Sequence, residues 1–185
     1  MNTYFTSDLH LGQKKLSEAY GFKNIEEHDK LIIDNIFSTV KRGDRLIIAG
    51  DIFWKYNPEQ KNLFFSKFRK YGIQVLWAYG NHDKPFTHKA IVSQGHHLII
   101  KANGQEFFVC HYPMICWDKS HHGTILVHGH IHTGDSSFSK LKNIKLPSLR
   151  MFNANVDMNN YAPVHSDEIV EKLKDVVNWD YIERK

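Results

Sequence analysis

Three histidines within five residues, His128, His130 and His132, are the feature that most restricts how this chain can fold. Neutral imidazole is the commonest metal ligand among side chains. In an extended backbone alternate side chains share a face, so His130 and His132 are expected to point the same way. Gly129 would let the backbone turn or approach another segment closely. Two imidazoles supply only half of a coordination shell, so the fold has to bring further ligands from elsewhere.

Other predicted strands also end in side chains that can bind metal. These strands cover residues 3–7, 45–49, 73–78 and 105–110. Helical patterns separate the first three, which favours βαβ units whose functional side chains gather at the carboxyl ends of the strands. The metal-competent side chains at the strand ends are, in chain order, Asp8, His10, Asp51, Asn81, His82, His111, His130 and His132.

Helical spacing predicts two long helices, over residues 24–41 and 57–71, each opened by an asparagine cap. A shorter helix is expected over residues 87–93, and Ser166 is expected to cap a last helix. The buried face predicted for the second long helix consists of Leu63, Phe64, Phe68 and Tyr71.

The second half of the chain carries a different pairing signal. Asn103-Gly104 predicts a hairpin between strands at 97–101 and 105–110, so the pairing is expected to become antiparallel midway. Residues 136–145 are polar and are expected to form a solvated edge or loop, and residues 151–156 a closing strand. No linker interrupts the chain, which predicts one domain over residues 1–185.

Composition and charge exclude several classes of protein. With 42% hydrophobic and 24% charged residues, the chain has an ordinary globular composition. Its net charge of +4 tolerates an anionic substrate but is not the dense basic footprint of a dedicated nucleic-acid binder. No long apolar run exists, and Asp8 and His10 interrupt any signal-peptide core, so we expect a cytoplasmic protein without a membrane partner. Cys110 and Cys116 are expected to be reduced thiols, with a short-loop disulfide as the alternative.

The number and chemistry of the candidate ligands indicate more than one ion. A single zinc site takes about three or four protein ligands. The candidates exceed that number and include only two carboxylates, Asp8 and Asp51, which fits two ions that share one bridging carboxylate. Mixed imidazole, carboxylate and amide-oxygen ligation suits manganese, iron or zinc better than calcium or magnesium.

Five ordered motifs carry a resemblance to a known family. They are Asp8-Leu9-His10, Gly50-Asp51, Gly80-Asn81-His82-Asp83, His111 and Gly129-His130-Ile131-His132. In this order, over residues 8–132, the chain resembles the calcineurin-like metallophosphoesterases, in particular small single-domain bacterial or phage-type members. The resemblance implies an α/β fold, a four-layer α-β-β-α sandwich of two mixed β-sheets flanked by helices.

The resemblance also implies a role for each motif residue. The implied ligands are Asp8, His10 and His132 for a first metal and Asn81, His111 and His130 for a second, with Asp51 bridging them. The cofactor would be two divalent ions, with manganese favoured and iron, zinc or nickel as alternatives. His82 would stand over the substrate without binding metal.

The implied chemistry is hydrolysis of phosphate monoesters or diesters. Two ions about 3.5–4 Å apart clamp a phosphate and lower the pKa of a bridging water toward about 7, and the resulting hydroxide attacks phosphorus. His82 could protonate the leaving oxygen. Asp83 would orient and charge His82, unless it merely starts a helix. His128 is interpreted as a strand residue, and His121 and His122 as surface residues or substrate contacts.

The aromatic loop that contains Trp54 and Lys55 allows two interpretations, a packed loop or a wall for the organic part of a substrate. Lys14, Lys55 and Lys84 lie near motif residues and could meet phosphate oxygens. Bases stack on aromatic rings, so the alternative function is a nucleotide or nucleic-acid phosphodiesterase or phosphatase. The expected partner is a phosphoester small molecule or nucleotide, with nucleic acid as an alternative. A non-catalytic scaffold on the same fold is the third hypothesis.

Overall fold

The computed structural model describes residues 1–133 and 149–176, which form two mixed β-sheets flanked by helices. The helices are α1 Lys14–Ala19, α2 Ile25–Thr39, α3 Pro58–Tyr71 and α4 Ser166–Lys172. The strands are β1 Thr3–Thr6, β2 Arg45–Ala49, β3 Gln74–Ala78, β4 Ile91–Gly95, β5 His97–Ala102, β6 Gln105–Cys110, β7 Ile125–His128, β8 Met151–Asn153 and β9 Val164–His165. The predicted pair of mixed sheets flanked by helices is confirmed.

The first sheet has the strand order β4-β3-β2-β1-β9, and its first four members are parallel to one another. Because parallel strands end at the same edge, the residues that follow β1, β2 and β3 come together there. The helices between them begin as predicted: Asn24 accepts a hydrogen bond from Glu27 N at 2.8 Å, and Asn57 does so from Gln60 N at 2.9 Å. The second sheet has the order β5-β6-β7-β8.

Two apolar cores hold these layers. Phe5 and Ile47 of the first sheet face Phe107 and Val109 of the second, and all four side chains are buried. The other core lies between the first sheet and the long helices. Its buried members from α2, α3 and β3 are Ile32, Ile36, Phe64, Phe65, Phe68, Val75 and Trp77.

The buried face of α3 differs from the prediction at three positions. Leu63 and Tyr71 are 61% and 50% exposed, whereas Phe65 is fully buried against Trp77, with ring centroids 5.9 Å apart. The helix is turned so that Phe64, Phe65 and Phe68 meet the sheet, which leaves Leu63 on the solvent side. Tyr71 lies in the last turn, where its ring contacts Phe37 at 4.9 Å.

Two other predictions of secondary structure are wrong. The segment predicted as a helix over residues 87–93 contains the start of β4, because the exposed edge of β3 offers backbone partners that outweigh local helical preference. Pairing after the midpoint is not generally antiparallel: β5 and β6 form the predicted hairpin, but β7 runs parallel to β6 and to β8. The hairpin turn has positive φ at both Asn103 and Gly104.

Smaller differences concern helix ends and short elements. The N-cap of α4 is His165, whose ring accepts from Asp167 N, and Ser166 is the first helical residue. Helix α1 was not predicted. Cys110 and Cys116 are free thiols, as expected. The loop expected at residues 136–145 lies outside the described residues. None of the helices in the described ranges has the length and apolar character needed to span a membrane.

Candidate metal centre

The backbone leaves the extended conformation where the candidate ligands begin. Asp8, His10, Asp51 and His130 have φ values of 55°, 42°, 53° and 69°, in the left-handed region that non-glycine residues seldom adopt. Such conformations cost about 1–3 kcal/mol each and cluster at functional sites. The loops after β1 and β2 remain side by side, since Asp8 N donates to Gly50 O and His10 N to Asp51 O, both at 3.0 Å.

A first group of donor atoms comes from Asp8, His10 and His132, which lie within 4.8 Å of one another. His10 Nε2 is 3.6 Å and His132 Nε2 is 3.7 Å from Asp8 Oδ1. His10 is 3% exposed, yet neither of its ring nitrogens has a hydrogen-bond partner among the described residues. A buried imidazole without partners is costly unless something binds it, so the group fits a cation.

The orientation of His132 depends on residues that the sequence reasoning missed. The Tyr20 hydroxyl is hydrogen-bonded to His132 Nδ1, and Asp157 Oδ2 lies 3.8 Å from the same nitrogen. Burial raises the pKa of Tyr20, and the Asp157 carboxylate raises it further, so the phenol keeps its proton. Asn155 Nδ2 also lies 3.1 Å from His132 Nδ1, so three neighbours position this side of the ring while Nε2 lies on the side of Asp8. Burial also lowers the pKa of His132, which favours the neutral ligand form.

A second group combines Asp51 and His111 with Asp8, again with donor atoms within 4.8 Å. His111 Nδ1 donates to Ala49 O at 2.9 Å, so the lone pair is on Nε2. That nitrogen faces two further acceptors, Asn81 Oδ1 at 3.0 Å and Asp51 Oδ2 at 3.4 Å. When His111 is neutral, three acceptors converge on one point, an arrangement that fits a divalent cation.

The electrostatics of this second group favour positive charge. Burial raises the pKa of Asp51, but the protonated form of His111, the backbone N–H of His82 and the charge of His10 together outweigh burial, so the net pKa lies below its ordinary value. Burial likewise lowers the pKa of His111, but the carboxylates of Asp51 and Asp8 outweigh it and the net pKa is raised. Asp51 Oδ2 also lies 3.8 Å from His10 Nε2, so this oxygen stands between the two groups. Its role as the bridge stays a prediction.

Two glycines allow the carboxylates to approach the backbone. A Cβ on Gly80 would lie 2.1 Å from Asp51 Oδ1, and a Cβ on Gly129 would lie 2.2 Å from Asp8 Oδ2. No side chain could occupy either place without displacing a candidate ligand. The close approach expected at Gly129 is therefore present, and His130 N donates to Asp8 Oδ2 at 3.0 Å beside it.

The expectation that His130 and His132 share a face is wrong. Strand β7 ends at His128, and the left-handed conformation of His130 turns the chain between them. The ring of His130 lies beside His111, with centroids 5.0 Å apart, whereas the ring of His132 lies beside His10 at 5.2 Å. The rings of the two histidines therefore lie beside different donor groups, His132 in the first and His130 next to His111 of the second. His128 is buried and its Nδ1 bonds to Gly129 O at 2.8 Å, as a strand histidine.

His82 lies at the edge of the centre and is exposed. Its backbone N–H donates to Asp51 Oδ1 at 2.9 Å, and its ring is 5.6 Å from that of His10 and 4.7 Å from that of Trp54. The structure thus brings His82 and Trp54 together. Lys14 and Lys55 line a cavity beside Trp54, whereas Lys84 is exposed and lies outside that wall.

Asp83 does not contact the ring of His82 through any hydrogen bond that the described residues make. Its Oδ2 accepts from Asp51 N at 2.7 Å, Gly80 N at 2.8 Å and Trp77 Nε1 at 3.0 Å. Its Oδ1 accepts from Ile52 N at 3.1 Å. Asp83 therefore anchors the loops that carry Asp51 and Gly80, and the geometry gives it a positioning role different from the predicted one.

A family model and two curated relatives match this chain. The model described as calcineurin-like phosphoesterase matches residues 1–182. An uncharacterized protein of Methanocaldococcus jannaschii, MJ1445, is 27% identical over 173 residues, which are 92% of this chain and 90% of that protein. The Gene 66 protein of Mycobacterium phage L5 is 28% identical over 162 residues, which cover 71% of this chain and 78% of the phage protein.

Solved structures include one with the same fold. The protein of unknown function AQ665 from Aquifex aeolicus aligns with a TM-score of 0.67 and 23% identity, covering 92% of this chain and 98% of its own. The phosphoesterase Yfce from E. coli aligns with a TM-score of 0.39 and 17% identity over 84% of this chain and 78% of its own. The first likeness shows the fold, and the second is too distant to support more.

Proposed function

Because this chain belongs to the calcineurin-like phosphoesterase family, whose activity is metal-dependent phosphoester hydrolysis, we propose that it works with two divalent cations held side by side. The observation that carries the proposal is the convergence of two donor groups that share Asp8. One group adds His10 and His132, and the other adds Asp51 and His111. Asn81 and His130 would complete the second group.

The donor chemistry favours manganese, with iron, zinc and nickel as competing ions. When bound, the two cations would activate a water molecule and neutralise charge on the phosphoryl oxygens. Hydrolysis adds water across one P–O bond, so the leaving oxygen has to gain a proton. A side chain that donates this proton beside the centre would accelerate the step.

His82 is the proposed proton donor. The backbone hydrogen bond to Asp51 Oδ1 fixes its main chain at the edge of the centre, and its exposed imidazole can reach the leaving oxygen. General acids of this kind contribute about 10²–10⁴-fold to turnover. Trp54, whose ring lies 4.7 Å from that of His82, would contact the organic group of the ester.

Metal removal and replacement test the proposal. The purified protein is stripped with a chelator, and manganese, zinc, iron or nickel is added back singly while hydrolysis of p-nitrophenyl phosphate and bis(p-nitrophenyl) phosphate is measured. We expect activity to follow metal content and to reach its maximum at two ions per chain. A maximum at one ion per chain would contradict the two-cation centre, and the ratio of the two rates separates a monoesterase from a diesterase.

Asp51→Asn tests the bridging role directly. Because the metal pair contributes several kcal/mol to transition-state stabilisation, we expect turnover to fall by roughly 10²-fold or more. Circular dichroism should show a folded protein. Asp118→Asn, at an exposed position, is the matched control and should retain full activity. Undiminished turnover of Asp51→Asn with unchanged metal content would refute the bridge.

A further inference from the structure

A cavity of about 490 Å³ opens between the loops that follow β1 and β2. Lys14, Lys15 and Lys55 line it, together with the rings of Trp54 and Tyr56. No carboxylate belongs to the part of its wall that the structure describes. A recess with several cations, two aromatic rings and no acid is suited to a ligand that is both anionic and planar.

The cavity continues the candidate metal centre. The first loop reaches the cavity at Gly12, two residues after His10, and the second at Trp54, three residues after Asp51. Trp54 lines the cavity and also contacts the edge of the metal centre, since the centroids of the Trp54 and His82 rings are 4.7 Å apart. A ligand held in the cavity would therefore lie next to an ester bound at the metal centre.

The walls of the cavity are fixed by hydrogen bonds before any ligand arrives. Asp29 Oδ2 of α2 accepts from Gly12 N at 2.9 Å and from the Tyr56 hydroxyl at 3.3 Å, and so ties one loop to the other. Trp54 N donates to Leu11 O at 2.8 Å. Gly12 has φ of +88°, and a Cβ there would lie 2.7 Å from the Tyr56 ring. The recess is thus preorganised, which lowers the cost of binding.

The lysines are available to a ligand. Lys14 pairs with Glu18 at 3.7 Å, but both side chains are more than half exposed, and such surface pairs are weak. Lys55 has a left-handed backbone with φ of 54°, and its Nζ lies 5.9 Å from the centroid of the Trp54 ring. Lysine binds phosphate as a point charge, and a base stacked on an aromatic ring gains about 1–3 kcal/mol.

We propose that this cavity is a subsite for the nucleotide next to the scissile phosphodiester of a single-stranded nucleic acid. The inference rests on the proposed phosphoesterase function and names its substrate class. A sugar phosphate or a mononucleotide would place its single phosphate group at the metal centre and leave the lysines of the cavity unpaired. Base pairs in a duplex remain stacked on each other, so only a single strand offers a base to Trp54.

Binding and turnover of a four-nucleotide strand test the subsite. The binding probe is a dye-labelled phosphorothioate tetrathymidylate, added to manganese-loaded protein and followed by fluorescence anisotropy at several salt concentrations. Replacing Lys14, Lys15 and Lys55 together by Glu should weaken binding at least tenfold and reduce the slope of log Kd against log salt by about 1.4, since two phosphates remain beside the scissile one and each phosphate contact in a single strand contributes about 0.7. Trp54→Leu should weaken binding by about 5- to 150-fold, equivalent to the lost stacking.

Lys67→Glu is the matched control, because Lys67 is an exposed lysine of α3 outside the cavity wall. It should bind the strand as the unaltered protein does. Circular dichroism and thermal melting check that the triple variant is folded. In the triple variant kcat/KM for unmodified tetrathymidylate should fall at least tenfold further than kcat/KM for bis(p-nitrophenyl) phosphate, which carries a single phosphate group.

The outcomes separate the subsite from the proposed function. If the protein hydrolyses the small diester but the lysine and Trp54 variants bind the strand normally, the subsite is refuted and the phosphoesterase function stands. If the triple variant loses activity equally on both substrates, the lysines serve the metal centre and the subsite is again refuted. If no ester is hydrolysed but strand binding still depends on the lysines, the subsite stands and the proposed function fails.

Discussion

The buried and the exposed parts of the candidate site are built in opposite ways. The floor of the site is the set of donor residues that are at most 3% exposed, namely Asp8, His10, Asp51 and His111. The rim is the set of side chains that reach solvent beside them, namely Trp54, Lys55 and His82. Floor residues are held by several hydrogen bonds each or by tight packing, whereas rim side chains mainly contact one another.

The difference between floor and rim indicates which residues determine metal binding and which determine turnover. In the floor, Asp8 and Asp51 have left-handed backbone conformations. Their carboxylates occupy the space that a side chain at Gly129 or Gly80 would need. In the rim, the ring of His82 lies against the rings of Trp54 and His10, and its hydrogen bond within the described part of the chain is made by its backbone N–H. Floor substitutions should therefore change stability and metal content, and rim substitutions should change turnover or KM.

The largest expected effect belongs to the rim. His82→Ala should lower turnover by roughly 10²–10⁴-fold, because the leaving oxygen loses its proton donor. Metal content, measured by elemental analysis, should not change. His121→Ala, at an exposed histidine that belongs to neither donor group, should behave like the unaltered protein. Loss of metal in His82→Ala would make His82 a ligand and would break the distinction between floor and rim.

The next effect tests whether Asp83 belongs to the floor. Asp83→Ala would leave the N–H groups of Asp51, Ile52 and Gly80 without their acceptor, which should cost about 3 kcal/mol of the free energy of unfolding. For a chain of this size that corresponds to a fall in Tm of about 6–12 °C. Asp118→Ala, at an exposed aspartate, should shift Tm by no more than about 2 °C. If Asp83→Ala lowers turnover without changing Tm, Asp83 instead serves His82.

The motifs of the floor could be predicted because their chemistry is restrictive. Few residue types bind metal, so Asp8, Asp51 and His111 stand out in sequence even though distant strands carry them. Their exact approach could not be predicted: nothing in the sequence indicates that His130 takes a left-handed conformation and separates from His132. The capped helices and the buried strands were predictable because both have local signatures, whereas the pair of mixed sheets was implied by the resemblance to the family.

Features set by tertiary packing could not be predicted. The rotation of α3 that buries Phe65 and exposes Leu63 depends on where Trp77 lies across the sheet. Strand β4 forms because β3 presents an open edge, which its own sequence does not show. Tyr20 is one tyrosine at the end of a short helix, and only its contact with His132 identifies it as part of the site.

Tyr20→Phe has a smaller expected effect and tests whether the Tyr20 hydroxyl supports metal binding through His132, next to the floor. The variant loses the hydroxyl that orients His132, and losing such a partner typically weakens metal affinity by about 10- to 100-fold. Calorimetric titration of the metal-free protein with manganese should show this loss for one of two binding events. Tyr71→Phe, at a half-exposed tyrosine packed on Phe37, is the matched control. Equal manganese affinity of Tyr20→Phe and the unaltered protein would remove Tyr20 from the site.

The smallest expected effect distinguishes Lys55 from Lys84, two lysines that both lie near motif residues in the sequence. Lys55 lines the cavity beside Trp54, whereas Lys84 lies outside the cavity wall in the loop after His82. Because one exposed charge contact is worth about 0.2–1 kcal/mol, Lys55→Ala should raise KM for a dinucleotide diester by up to about fivefold with kcat unchanged. Lys84→Ala should change neither constant by more than about 1.5-fold. The two variants are compared by steady-state kinetics at low salt, where charge contacts are least screened. If Lys84→Ala has the larger effect, the bound substrate extends from the metal centre toward Lys84, and Lys84 instead of Lys55 belongs to the rim.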